Sequence, residues 1–64
     1  MTVSIEPLRI GKDLLTYIVI RQVGRHKDIE ESGDTTDQAA AVRWAARRWG
    51  VHESEVTVLQ EAEL

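Results

Sequence analysis

The side chains best suited to recognising another molecule lie close together in this chain: Trp44, Arg43, Arg47 and Arg48. Exposed tryptophan and arginine dominate the energetics of binding surfaces. The indole buries a large area, and the guanidinium presents a rigid fork of donors. Ala40 and Ala41, about one helical turn before Trp44, are small enough to let a partner approach the ring. The same set could hold a nucleic acid, with the arginines on phosphates and Trp44 stacked on a base. It could also serve the fold alone, with Trp44 lying over Ala40 and Arg48 stacked on the ring as a cation–π pair worth about 0.5–1 kcal/mol. A second candidate contact is acidic. Asp28, Glu30 and Glu31 open a stretch, continued by Asp34 and Asp37, that holds no lysine or arginine. It could face a basic partner or imitate phosphates.

Catalytic chemistry finds no footing. Ser4, Ser32 and Ser54 lack the G-x-S-x-G context of an activated serine. The absence of cysteine removes a thiol nucleophile, a disulfide and a thiolate metal site. No P-loop and no G-x-G-x-x-G is present. His26 and His52 belong to no ligand-spaced pair and read as solvent-exposed. The carboxylates lack the spacing of a calcium loop. The chain is too short to enclose a pocket of ordinary size unless it oligomerises. No catalytic, cofactor or metal residue is assigned, and an enzyme is not expected.

Length and charge bound the remaining readings. The 64 residues allow one small domain, residues 1–64, whose stability is marginal because little surface is buried at that size. Good packing or self-association must supply what disulfides cannot. The formal net charge is −3, which argues against nucleic-acid binding by general electrostatics but leaves a local basic face open. No apolar run approaches the roughly 18 residues of a membrane span. No basic-then-apolar leader is visible, so the cytoplasm is the expected location, in keeping with the lack of cysteine.

Thr2 to Ile10 alternates in part and reads as a strand, placed at an edge by Pro7, which cannot donate to a ladder; a kink or bulge is expected near Leu8. Gly11-Lys12-Asp13 signals a hairpin turn. Leu14 to Val23 is the strongest strand, with Leu14, Ile18 and Ile20 on one face and Leu15, Tyr17, Val19 and Val23 on the other. A strand apolar on both faces is usually covered on both. With one helix available, the second face lies open, lies under the chain ends or meets another molecule, unless Tyr17 and Val19 are simply exposed. Gly24 marks a further turn. Arg25 to Ser32 is either a charged edge strand or an acidic loop.

The helix is expected over 36–49. Thr35 and Gln38 have capping-box spacing, and the alanines at 39, 40, 41, 45 and 46 favour helix. Ala39, Val42, Ala45, Ala46 and Trp49 form the predicted core arc. Trp44 and Trp49 point roughly 140° apart by the helical period, so Trp49 is expected inside and Trp44 near the surface. Gly50 suits a left-handed cap, with Val51 packing back near Ala46. Glu55 to Leu64 alternates and reads as a last strand, at least through Glu61. The fold class is therefore α+β, in the order β-β-(β)-α-β, with one helix on a mostly antiparallel sheet of three or four strands.

In element order and size, with no matching motif, the chain loosely resembles small phage-borne inhibitors of bacterial defence systems, some anti-CRISPR proteins among them. That resemblance implies a non-enzymatic interaction module, an inhibitor or accessory factor that occludes a surface on a larger complex. No residue role follows from the resemblance; read from the residues themselves, the contact face would be Trp44 with Arg43, Arg47 and Arg48, and the acidic strand edge a second. Two other readings stand beside it: a small nucleic-acid binder using the same helix, and a homodimer that buries its open sheet face.

Overall fold

The computed structural model describes residues 1–32 and 36–59. The chain forms β1 (Thr2–Ile10), β2 (Asp13–Val23), β3 (His26–Glu31), α1 (Gln38–Trp49), a 3-10 turn (Glu53–Glu55) and β4 (Val56–Val58). Among the described residues, one helix packs on a four-stranded sheet of order β3-β2-β1-β4. The β3–β2 and β2–β1 pairings are antiparallel, and β4 joins β1 in parallel. The fold class expected from the sequence is the one observed.

The two hairpins follow from their turns. Ile10 pairs with Asp13 across Gly11-Lys12, and Val23 with His26 across Gly24-Arg25. Gly24 has φ 58°, the left-handed conformation that two-residue hairpin turns require. Residues 26–31 are thus a strand and not a loop, and among the described residues β3 is an edge. β1 is not an edge, because β4 pairs with it from Val3 to Ile5. Pro7 is tolerated there because it lies beyond that short ladder. The irregularity expected near Leu8 falls between Leu8 and Arg9. The pairing passes from Leu8↔Thr16 to Arg9↔Leu14, leaving an extra residue on β2. That skip turns Leu14 to the same side as Tyr17, so Leu14 packs on the core and not with Ile18 and Ile20.

Val3, Ile5, Tyr17 and Val19 bury one sheet face against Ala41 and Ala45. Tyr17 and Val19 are therefore core residues. The opposite face, carrying half-buried Ile18 and Ile20 beside exposed Ile29, has no helix over it among the described residues.

The helix departs from expectation at its start. Its N-cap is Asp37, whose carboxylate accepts from the Ala39 N–H at 3.2 Å, in place of the expected Thr35 box. Thr35 itself lies outside the described residues. Gly50 closes the helix at φ 64° as expected, and the Val51 N–H returns to the Ala46 carbonyl at 3.0 Å. The core arc keeps Val42, Ala45, Ala46 and Trp49 of the predicted five and takes Ala41 in place of Ala39. Ala41 and Ala45 are fully buried and Ala46 nearly so, whereas Ala39 is exposed. The last strand is described as Val56–Val58, followed by Leu59, whose N–H reaches the Ile5 carbonyl at 2.8 Å. The strand expected over residues 60–64 lies outside the described residues.

Candidate functional site

Both tryptophans flank the helix face that meets the sheet. From the line of Ala41 and Ala45, Trp44 and Trp49 diverge by roughly 60–80° to either side at the helical period. The alanines bring the backbone close to the sheet, and each indole fills the gap left on its own flank. Trp44 and Trp49 are both half-buried against the core. The expected contrast of one ring inside and one near water is thus corrected: a helix resting on small residues has two flanks to close.

Trp49 sits among cations. The guanidinium carbons of Arg21 and Arg48 lie 4.2 and 4.1 Å from its ring centroid. The stacking considered for Arg48 on Trp44 falls on Trp49 instead. Each arginine is in turn held by a β3 carboxylate. Arg48 donates to both oxygens of Glu30, at 3.0 and 2.9 Å. Arg21 pairs with Asp28, which also meets His26 Nε2 at 3.0 Å. Partial burial pushes the Asp28 carboxyl up. The hydrogen bonds and positive charge of Arg21 and His26 more than offset this and hold it below its ordinary value. Sequence reasoning passed over Arg21. Its signal was a charge standing in the apolar Tyr17–Val19–Val23 row of β2.

Asp28 and Glu30 therefore face the helix side and are engaged within the molecule, while Glu31 is exposed on the other face. His26 is exposed and bound to Asp28. His52 caps the 3-10 turn, its ring nitrogen accepting from the Ser54 N–H while Glu55 accepts from the His52 N–H at 2.9 Å.

On the outward side of α1, Ala40, Arg43, Trp44, Arg47 and Arg48 line an open groove of about 490 Å³. A second hollow of about 270 Å³ runs between Arg43, Ala46, Arg47, Val51, His52 and Glu53. Arg43 and Arg47 line both and form the ridge between them. They have no ion pair or side-chain hydrogen bond among the described residues, and the pairing of Arg43 with a nearby carboxylate is not found. The four residues singled out on the helix thus divide: Arg43, Trp44 and Arg47 share an open surface, and Arg48 lines its margin while tied to Glu30.

Among the described residues no group of His, Asp or Glu could hold a metal ion. No helix among them is long and apolar enough to cross a membrane. No protein-family model, curated protein or solved structure matches the chain.

Proposed function

We propose that this chain is a non-enzymatic interaction module that docks an acidic protein surface with the outward face of α1. The observation that supports this reading is the ridge of Arg43 and Arg47 beside the Trp44 groove, two exposed guanidiniums without a carboxylate partner among the described residues. Arginines left unpaired beside a half-buried indole retain their full capacity for bidentate contact with a partner's carboxylates. A small chain of this kind acts by covering a surface of a larger complex, as an inhibitor or an accessory factor.

The test is capture with a photo-crosslinker placed at Ala40, followed by identification of the captured protein. The variant Arg43→Glu/Arg47→Glu keeps the fold, because both side chains are exposed, and loses the captured species. Undiminished capture by the variant overturns the reading. A titration with single-stranded oligonucleotide at low salt is the companion measurement. Binding that weakens steeply with salt and disappears in the variant would replace the acidic protein with a nucleic acid.

A further inference from the structure

We infer that this chain pairs with a second copy of itself through the free edge of β3, making one continuous sheet across both copies. The backbone identifies which groups are free. The Ser32 N–H bonds to the Tyr17 carbonyl at 2.9 Å, so even-numbered residues of this segment turn their backbone groups toward β2. In an antiparallel ladder the direction alternates. Lys27, Ile29 and Glu31 therefore turn their N–H and C=O groups outward, along a strand that has no neighbour on that side among the described residues. An edge of this kind is a template for another strand unless something blocks it.

The side chains specify the strand that fits. A two-fold axis through Ile29 sets Ile29 opposite Ile29 of the other copy, Lys27 opposite Glu31, and Glu31 opposite Lys27. Each such pair exchanges the outward backbone bonds, and both charged pairs join opposite signs. Isologous contacts require this self-complementarity. Ile29 is 63% exposed and sits beside Ile20 in the sheet. Pairing at the edge would run Ile20 and Ile29 of both copies into one apolar row on the uncovered face.

The other face meets the same condition. Asp28 comes opposite Glu30 of the second copy, a like-charge contact that would ordinarily oppose pairing. Here Arg21 already holds Asp28 and Arg48 already holds Glu30, so every carboxylate in the contact brings its own guanidinium. α1 packs over β1, β2 and β4 and reaches β3 through Arg48, so it does not close the edge. The inference uses neither Trp44 nor the arginine ridge and stands apart from the proposed docking face.

Sedimentation of the full chain tests it, between about 10 µM and about 1 mM, the range suited to an interface at the small end of the size classes. The native chain is expected to pass from monomer to dimer. Lys27→Glu alone and Glu31→Lys alone each set like charges opposite and should weaken the dimer roughly tenfold. Mixing the two variants restores opposite charges at every pair and should restore the dimer. In the native chain, amide exchange at Lys27, Ile29 and Glu31 should slow as concentration rises. A native chain monomeric throughout, single variants that dimerise as the native chain does, or a mixture that stays monomeric overturns the proposal. Dimers indifferent to both charges are what face-to-face contact through Ile18 and Ile20 would give.

Discussion

Arg48 on the last turn of α1 grips Glu30 on the edge strand β3 with both arms of its fork, Nε to Oε2 at 3.0 Å and Nη2 to Oε1 at 2.9 Å. These residues are 18 apart in sequence, and the same guanidinium lies over the Trp49 ring. One side chain thus joins the C-terminus of the helix to the far edge of the sheet and covers an indole on the way. In a double-mutant cycle, the Arg48→Ala and Glu30→Ala changes should couple by about 0.5 kcal/mol, the modest worth of a partly exposed ion pair. The coupling should fall with added salt. Arg48→Ala should cost more than Glu30→Ala, because it also uncovers Trp49. Urea unfolding of the four proteins at low and high salt measures both effects.

The two tryptophans should differ in cost. Trp49 lies under two guanidiniums with its Nε1 buried, so Trp49→Ala removes packing and leaves Arg21 and Arg48 without their platform. A loss of about 3 kcal/mol is expected, the low end for a buried aromatic. Trp44 borders the open groove, and Trp44→Ala should cost about half of that or less. Chemical denaturation ranks the two. Acrylamide quenching of the single-tryptophan variants should find the remaining indole more accessible when it is Trp44 than when it is Trp49.

Much of this arrangement was legible in the residues. The alternation of Thr2–Ile10 and Leu14–Val23, the glycines at 11 and 24 and the alanine-rich segment ending at Gly50 state the hairpins and the helix. Each is a local signal. What was not legible depended on contacts between elements. The core arc held at Val42, Ala45, Ala46 and Trp49, and missed only that Ala41 takes the place of Ala39, a choice set by where the helix rests on the sheet. β1 read as an edge because Pro7 is visible in sequence and the parallel pairing with β4 is not. The division of the candidate residues was hidden for the same reason: Arg48 belongs to Glu30, and Asp28 to Arg21, only once β3 lies beside β2.

Asp28 gives the fold a defined pH response. Its folded pKa lies below its unfolded value, so the unfolded chain takes up the proton first as pH falls. The stabilisation is therefore fully present above the ordinary aspartate value of about 3.9 and is lost as pH falls through the lower folded value. Asp28→Asn should lower the melting temperature at neutral pH and flatten its decline below about pH 4. Melting curves of both proteins across the acid range test this. Parallel declines would show that other carboxylates carry the response.

Gly50→Ala isolates the cost of the helix cap. A Cβ at this position would meet nothing within 4 Å, so no clash contributes. The backbone conformation at φ 64° remains, and an alanine there is disfavoured by about 1 kcal/mol. The expected loss is of that size, measured by denaturation. A smaller loss would mean that the helix end can relax to another cap without disturbing Val51.

Ala45 tests whether the closeness of α1 to the sheet sets the geometry of both flanks. Its side chain is fully buried in the cluster with Val3, Ile5, Tyr17 and Val19. Ala45→Leu adds volume where the helix comes nearest the strands. Overpacking of this kind costs about 1–3 kcal/mol. If the helix lifts, both indoles lose contact with the sheet together, so the emission of Trp44 and of Trp49 should shift to longer wavelength and Arg48 should draw away from Glu30. The Arg48–Glu30 coupling measured in the Ala45→Leu background should then fall toward zero. A variant that loses stability while keeping that coupling would place the strain inside the sheet, with α1 still seated.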